Sequence, residues 1–255
     1  MKKLQFACFA LSLLGGLILW SPPTSAGEDS PHWSYGGAAN PTQWGRLGHD
    51  FALCETGRDQ SPIDIDHAVI GAPSTIKFNY TSVPLVVKNN GHTIQVDYAE
   101  GSSVSIEGDE YELLQFHFHT PSEHTAAGRS AAMELHLVHR NETGELAVVG
   151  VMLEPGEAHP ALETIWKHLP DAEGTQPVEG IAINAADLLP DSAAYFSYAG
   201  SLTTPPCGEG VRWNVMQAPI QVSEAQIAAF EALYSVNARP VQPTNGRVIE
   251  LHPEK

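Results

Sequence analysis

Two short runs of alternating residues constrain the fold of this chain more than any other feature. The first covers residues 115–119 (QFHFH) and the second covers residues 134–138 (ELHLV). Successive side chains of a β-strand point to opposite faces of the sheet. Each run therefore predicts a strand with its histidines on one face and apolar residues on the other. If the two strands are neighbours in one sheet, three imidazoles converge on a common face.

The predicted ligand set is His117, His119 and His136. Three imidazoles around a divalent ion suit zinc and leave a fourth tetrahedral position open to water, whereas structural zinc sites are usually closed by four protein ligands. Gln115 and Glu134 each precede a histidine by two positions, so they share its face and can accept the ring N–H that points away from the metal. Water on such a metal supplies hydroxide near neutral pH, and the predicted chemistry is hydroxide attack on an electrophilic carbon.

The first 26 residues predict a secretory signal peptide. Lys2 and Lys3 precede an apolar stretch from about residue 6 to about residue 20, and the small residues after it predict cleavage after Ala26. The apolar stretch is shorter than the roughly 20 residues of a spanning helix, so an uncleaved membrane anchor is the less favoured alternative. We therefore expect residues 27–255 to act outside the cytoplasm, in the periplasm or the extracellular medium, with no membrane span.

Signal removal leaves two of the three cysteines, Cys54 and Cys207. Disulfides persist outside the cytoplasm, so we expect these two cysteines to pair, with two buried thiols as the alternative. The formal charge of the chain is −17, and loss of Lys2 and Lys3 makes it more negative. Such a surface repels phosphate backbones, and no basic patch or glycine-rich phosphate loop is present, so nucleic acid is not an expected partner.

The remaining sequence predicts a single α+β domain whose body is mostly antiparallel sheet. No internal repeat or low-complexity linker divides it. Helices are predicted over residues 159–169, where apolar residues form one stripe, and over residues 223–234, where Ser223 and Gln226 fit a capping box. Besides the two histidine runs, strands are predicted over residues 76–80, 85–88, 93–98, 103–106, 146–153 and 210–216.

A catalytic metal of this kind needs an orienting group, an apolar substrate site and a route for protons. Thr203, on a proline-stiffened loop, could accept the hydrogen of the hydroxide and donate its own proton to a carboxylate such as Glu123. His92 could carry protons to solvent because an unperturbed histidine has a pKa near neutrality. An apolar pocket could form from Val138, Val148, Leu202, Val211 and Trp213. Taken singly, each of these residues also fits an ordinary structural role.

Motifs along the whole chain carry a family resemblance. In order they are HWSY at 32–35, QSPI at 60–63, NNGH at 89–92, QFHFH at 115–119, SEH at 122–124, ELHLVH at 134–139, SLTTPP at 201–206, RP at 239–240 and QP at 242–243. With these motifs the chain resembles an α-class carbonic anhydrase of the bacterial secreted type. The resemblance implies a predominantly β domain with a large, twisted, mainly antiparallel sheet and short peripheral helices. It also implies reversible hydration of carbon dioxide to bicarbonate and a proton.

The resemblance further implies a role for each matching residue. His117, His119 and His136 would bind Zn²⁺, with Gln115 and Glu134 as hydrogen-bond acceptors behind them. Thr203 and Glu123 would orient the nucleophile, and His92 would transfer the proton. The substrate pocket would consist of Val138, Val148, Leu202, Val211, Trp213 and Thr204. The residues of a water network would be Tyr35, Asn90 and Gln95. The expected partner is the small substrate alone, and the expected state is a monomer or a homodimer.

Two other function classes stay open at this point. His117, His119 and Glu123 match the His-x-His-x3-Glu signature of cupins, for which His159 would supply a further ligand of an oxidative metal centre. That interpretation leaves His136 and the Thr203 loop unexplained. A non-catalytic binding module on the carbonic anhydrase fold is the second alternative, although the three histidines that such modules lose are present here.

Overall fold

Long strands carry most of the chain in this computed structural model, which describes residues 31–170 and 172–255. The predicted signal peptide therefore lies outside the described residues. The strands are β1 Asp64–Ile65, β2 Val69–Ile70, β3 Lys77–Asn79, β4 Val83–Asn89, β5 Ile94–Asp97, β6 Ser103–Ile106, β7 Asp109–His119, β8 Thr125–Ala126, β9 Arg129–Ser130, β10 Met133–Arg140, β11 Leu146–Pro155, β12 Gly174–Ile183, β13 Tyr195–Ser201, β14 Glu209–Met216, β15 Ile220–Val222 and β16 Glu250–His252.

The described helices are short and lie outside the sheet. They are α1 Trp44–Leu47, α2 Leu53–Thr56, α3 Pro160–Trp166 and α4 Glu224–Glu231, with 3₁₀ turns at Gly37–Ala39, His49–Phe51 and Ala185–Leu188. The predicted capping box is present, because the Ser223 hydroxyl accepts the amide N–H of Gln226, whose side chain accepts the Ser223 N–H. Both predicted helices end earlier than expected. For α3, Pro170 disfavours helical backbone at the residue before it.

One 13-stranded sheet dominates the described chain. Its neighbour order is β12-β4-β5-β7-β10-β11-β14-β13-β16-β2, with β6 also paired to β7 and to β3, and β15 paired to β11. The pairings are antiparallel except β11 with β14, β11 with β15 and β16 with β2. The prediction of a predominantly β fold with a large, mostly antiparallel sheet and short helices is confirmed. None of the described helices is long and apolar enough to cross a membrane.

The residues between the histidines anchor the sheet on its main apolar core. Phe116, Phe118, Leu135 and Leu137 are each 0 % exposed and belong to the same buried cluster. Burial of such side chains stabilises a fold by about 1.5–3 kcal/mol each. The Phe118 ring meets the Trp166 ring of α3 edge-on, with centroids 4.9 Å apart. The core thus fixes one face of β7 and β10 and leaves His117, His119 and His136 on the other.

A disulfide between Cys54 and Cys207 confirms the predicted pairing, with Cα atoms 5.0 Å apart. It joins α2 to the loop that follows β13. Within this loop, Leu202 N–H donates to the Gly208 carbonyl at 2.9 Å, and Cys207 N–H donates to the Thr204 carbonyl at 2.8 Å. The disulfide and these two hydrogen bonds close the loop that carries Thr203.

Candidate active site

The register of β7 against β10 brings the three histidines together. His117 pairs with His136, and His119 pairs with Glu134 across the antiparallel ladder. The ring centroids lie 5.0 Å apart for His117 and His119, 5.3 Å for His117 and His136, and 4.6 Å for His119 and His136. One nitrogen of each ring lies within 4.8 Å of the others, the spacing of a metal-binding group.

Each ring turns its other nitrogen toward a protein oxygen. His117 Nδ1 donates to Gln115 Oε1 at 2.8 Å, and His119 Nδ1 donates to the main-chain carbonyl of Asn237 at 2.7 Å. His136 Nε2 lies 3.0 Å from Glu134 Oε1, although its N–H does not point at that oxygen in hydrogen-bond geometry. Nε2 of His119 is buried and has no hydrogen-bond partner among the described residues. The donor set therefore fits a metal ion held by three imidazoles.

The electrostatics keep two of the rings neutral, which is the form that binds metal. Burial, followed by the neighbouring rings of His119 and His136, holds the pKa of His117 well below its usual value. Burial also lowers the pKa of His119. Burial likewise disfavours charge on His136, but the Glu134 carboxylate outweighs it and raises the pKa of His136. A carboxylate beside a ligand histidine makes the ring more basic and a better donor to a metal.

Glu134 is locked by contacts that the sequence did not reveal. Its Oε2 accepts the main-chain N–H groups of Glu123 and His124, both at 2.8 Å. Its Oε1 accepts His124 Nδ1 at 2.7 Å. Although burial opposes ionisation, the neighbouring rings of His124 and His136, together with the hydrogen bond from His124, hold the pKa of Glu134 well below its usual value. The SEH motif marked this segment, but nothing in the motif assigned His124 to Glu134.

A buried chain of hydrogen bonds runs on from His124 toward the Thr203 loop. Because His124 Nδ1 donates to a carboxylate, its Nε2 accepts the hydroxyl of Tyr198, at 2.6 Å. Tyr198 and Ser61 are joined through their hydroxyls at 2.8 Å, and Ser61 Oγ accepts the N–H of Ser201 at 3.1 Å. These four residues are at most 5 % exposed. They connect the residue behind His136 with the start of the loop.

Thr203 and Glu123 are both buried, and Glu123 lies beside the histidines. Thr203 is 5 % exposed and Glu123 is 2 % exposed. Glu123 Oε1 accepts the main-chain N–H of Arg239 at 2.8 Å. Its Oε2 lies 3.6 Å from His119 Nε2 and has no hydrogen-bond partner among the described residues. The expected hydrogen bond from Thr203 to Glu123 stays a prediction, and Oε2 is the atom available for it.

Three of the residues predicted for the apolar pocket form a row across the sheet. Val138 pairs with Gln115 on β7 and with Val148 on β11, and Val148 pairs with Trp213 on β14. The Trp213 ring lies 4.8 Å from the His136 ring, so the row ends against the metal centre. The residues predicted for the pocket walls share one apolar cluster: Val138, Val148, Leu202, Val211 and Trp213. Thr204 follows Thr203 in the loop and is partly buried.

His92 lies in the turn between β4 and β5. Asn90 Oδ1 accepts the N–H groups of His92 and Thr93, at 3.0 and 2.9 Å, and so shapes this turn. The His92 ring stacks on Trp33 with centroids 3.7 Å apart and planes 9° apart. Burial, and then the nearby His32, lower the pKa of His92, while Glu173 opposes them. The ring is therefore neutral at neutral pH.

Tyr35 and Gln95, the other predicted water-network residues, also have fixed surroundings. Burial, then the Glu123 carboxylate, hold the pKa of Tyr35 well above its usual value, so its hydroxyl keeps its proton. Gln95 pairs in register with His117, which places both on one face of the sheet. The amide nitrogen of Gln95 donates to Asp97.

This chain is similar to known proteins in both sequence and fold. The family model described as eukaryotic-type carbonic anhydrase matches residues 39–253. A carbonic anhydrase of Nostoc sp. is 44 % identical over 245 residues, which is 94 % of this chain and 93 % of the relative. The chain belongs to the α-carbonic anhydrase family. Its activity is the reversible hydration of carbon dioxide, and its three histidines are suited to the metal ion of that reaction.

Solved carbonic anhydrases have the same fold. A hyperthermostable carbonic anhydrase identified from an active hydrothermal vent chimney is 47 % identical with a TM-score of 0.84, covering 86 % of this chain and 99 % of that one. The α-carbonic anhydrase of Thermovibrio ammonificans, solved with the inhibitor sulfanilamide, is 40 % identical, also with a TM-score of 0.84, over 87 % of this chain and 100 % of that one. The cupin alternative is wrong, and His159, its further ligand, instead precedes α3.

Proposed function

We propose that this carbonic anhydrase binds Zn²⁺ through His117, His119 and His136 and uses His92 as its proton carrier. The observation that carries the proposal is the group of three imidazole nitrogens within 4.8 Å of one another. An all-histidine set with an open fourth position is typical of catalytic zinc. When bound, zinc supplies a Lewis acid that lowers the pKa of a water molecule, for which carbonic anhydrases are themselves the standard example.

Thr203 and Glu123 give the nucleophile its direction. An ionised carboxylate only accepts hydrogen bonds, and Glu123 Oε1 is already occupied by the N–H of Arg239. Oε2 is then free for the Thr203 hydroxyl proton, which leaves the Thr203 oxygen as an acceptor. A nucleophile that donates its hydrogen to Thr203 turns a lone pair toward the substrate. This is an orienting role, which contributes to the rate by holding a reactive geometry.

The row of Val138, Val148 and Trp213 supplies a place for carbon dioxide beside the metal centre. Carbon dioxide is small and uncharged, so an apolar wall accepts it without unpaired polar groups. Bicarbonate carries a charge and is disfavoured against the same wall, which promotes its release. Leu202, Val211 and Thr204 complete the proposed site from the loop and from β14.

His92 accepts the proton that each hydration produces. Its lowered pKa keeps the ring neutral, hence basic, at neutral pH. Tyr35, Asn90 and Gln95 surround the path between His92 and the metal centre, where water molecules would carry the proton. The proton leaves after carbon dioxide has reacted, so this step limits kcat and not kcat/KM.

The variant His92→Ala tests the proton route. We expect kcat in weak buffer to fall by about 10-fold or more, because the positioned proton acceptor is lost. The ratio kcat/KM should stay unchanged, and added imidazole should restore kcat. Stopped-flow hydration assays at two buffer concentrations measure all three quantities. His49→Ala is the matched control, because the His49 side chain is fully exposed. Equal kcat values for wild type and His92→Ala in weak buffer would remove His92 from the mechanism.

We further propose that residues 1–26 are a signal peptide, that residues 27–255 are the catalytic domain, and that the enzyme works in the periplasm or outside the cell. The Cys54–Cys207 disulfide supports this location, because such bridges persist in oxidising compartments. The intact mass of the enzyme from the exported fraction gives the cleavage position. Recovery of the full 255-residue mass from that fraction would rule the signal peptide out.

A further inference from the structure

We propose that the side chain of Asn237 is a positioning group that ties the main chain of His92 to the end of β7, behind the metal ligand His119, in one hydrogen-bonded frame. The inference rests on the proposed function, because it assigns Asn237 to the metal centre and the proton route together. Asn237 is 0 % exposed and belongs to the irregular C-terminal segment between α4 and β16. Neither its position nor its residue type marks it in the sequence.

The main chain of Asn237 fixes the end of β7. Its carbonyl accepts His119 Nδ1 at 2.7 Å, and its N–H donates to the Thr120 carbonyl at 3.0 Å. The side-chain Oδ1 accepts the Thr120 N–H at 2.7 Å. Both main-chain groups of Thr120 are therefore bound to Asn237. The carbonyl that orients His119 is held in place by two hydrogen bonds to the residue that follows it.

The side-chain amide extends this frame to the proton carrier. Nδ2 donates to the Phe118 carbonyl at 2.9 Å and to the His92 carbonyl at 3.0 Å. The ladder between β5 and β7 ends before this point, because its last pair is Gln95 with His117. The Asn237 amide thus bridges His92 to β7 beyond the end of the ladder. Asn90 already holds the His92 N–H, so both main-chain polar groups of His92 are fixed.

Only an asparagine-sized amide satisfies all three side-chain contacts. The site requires one acceptor, for Thr120 N–H, and two donors, for two carbonyls. Asn237→Asp keeps the acceptor but places a second oxygen against the carbonyls of Phe118 and His92. Asn237→Leu removes all three contacts and leaves the buried Thr120 N–H without its acceptor, which is the costly outcome for a buried polar group. The two variants therefore separate loss of the donors from loss of the whole frame.

Zinc affinity and proton transfer are the two measurements. In Asn237→Asp, repulsion between the new carboxylate oxygen and the carbonyls of Phe118 and His92 shifts the main-chain carbonyl that orients His119. By competition with a chelator, we expect this variant to bind zinc about 10-fold more weakly or worse, the usual effect of disturbing a group behind a metal ligand. At saturating zinc, kcat in weak buffer should also fall, while kcat/KM stays and imidazole restores kcat. Asn214→Leu is the control, because Asn214 is equally buried but its side chain donates only to the carbonyls of Val148 and Arg212. It should leave both measurements unchanged.

A double variant makes the test specific for His92. In a His92→Ala background, Asn237→Asp should cause no further loss of kcat in weak buffer, because both changes act on one proton route. An equal loss with and without His92, or unchanged zinc affinity in Asn237→Asp, would overturn the proposal. If Asn237→Leu does not fold, the kcat and zinc measurements on Asn237→Asp alone decide the proposal. A wild-type enzyme that binds zinc without hydrating carbon dioxide would instead refute the proposed function, and the chelator competition would still decide the metal half of the frame.

Discussion

At the residue scale, His139 shows how the environment separates the histidines of one strand. It lies on β10 three positions after His136, so alternation turns it to the opposite face, toward the core. The Tyr80 hydroxyl donates to its Nε2 at 2.7 Å, and its Nδ1 donates to the Ala147 carbonyl at 3.3 Å. Burial lowers the pKa of His139 to about 3. Histidine therefore serves as a core residue at position 139 and as a predicted metal ligand three positions earlier, at His136.

The lowered pKa of His139 predicts that acid reduces the free energy of unfolding. Between pH about 3 and about 6.5 the unfolded chain binds a proton at His139 that the folded chain does not. The free energy of unfolding therefore rises with pH over this window and loses this contribution as the pH falls. The variant His139→Gln keeps an acceptor for Tyr80 and a donor for Ala147 but does not titrate.

Urea unfolding of the metal-loaded enzyme at pH 7 and pH 5 measures the effect. We expect wild type to lose about 2 kcal/mol more than His139→Gln between these two pH values. Titration of the metal ligands is common to both proteins and cancels in the comparison. An equal loss in both would show that His139 is not the buried neutral group described above.

Some site residues could be predicted from the sequence and others could not, for a physical reason. Gln115, Glu134 and the three histidines follow from strand alternation alone, because the period of two fixes which side chains share a face. The partners of His119 and Glu123 are main-chain groups of Asn237 and Arg239. A carbonyl or an N–H belongs to every residue, so no pattern of side chains indicates which one is used.

At the element scale, the histidine-bearing parts of β7 and β10 were predictable because residues 115–119 and 134–138 alternate between polar and apolar side chains. β12 was missed, since it is an edge strand that is mostly exposed and carries Pro177, which gives it no alternating apolar pattern. β13 was missed as well, because its sequence mixes aromatic and small polar residues. β12 pairs with β4, which lies far away in the chain, and β13 pairs with β14 and with the C-terminal β16.

Gly200, on β13, marks a contact that only glycine permits. A Cβ atom there would lie 2.2 Å from Ser61 Oγ, 2.7 Å from Trp213 Cδ1 and 2.8 Å from Tyr198 Cε2. We expect Gly200→Ala to lower the free energy of unfolding by about 1–3 kcal/mol, the usual cost of overpacking. It should also lower kcat/KM, because it displaces the strand that leads into the Thr203 loop.

Thermal unfolding and hydration assays measure these two effects. Gly208→Ala, in the loop that carries Thr203, is the control, because nothing lies within 4 Å of its added Cβ. We expect it to change stability little. A Gly200→Ala enzyme as stable and as active as wild type would show that the packing of β13 against Ser61 and Trp213 is not needed.

At the scale of the whole molecule, contacts between distant segments build the site. The Cys54–Cys207 disulfide spans 153 positions. Arg239 donates to the carbonyls of Ser61 and Cys54 at 2.7 and 3.0 Å and, through its own N–H, holds Glu123. The disulfide and Arg239 therefore tie the N-terminal loops to both the Thr203 loop and Glu123. The sequence predicted the disulfide because only two cysteines remain after signal removal. The contacts of Arg239 could not be predicted without the fold.

Reduction of the disulfide should destabilise the enzyme. Closing a loop of this length stabilises a protein by up to about 4–5 kcal/mol in the chain-entropy model, which commonly overestimates the effect. We expect the Tm to fall by several degrees on reduction, as measured by thermal unfolding with and without a thiol reductant. Quantified release of two thiols with an unaltered Tm would show that the bridge contributes nothing to stability.

The central claim is that three histidines on neighbouring strands hold the zinc with which this chain hydrates carbon dioxide. The most direct measurement is stopped-flow hydration by the purified enzyme before chelation, after chelation, and after return of one equivalent of zinc. Since the water molecule becomes acidic only beside the metal, we predict that activity is lost on chelation and restored by zinc. Full activity in the metal-free enzyme would contradict the account.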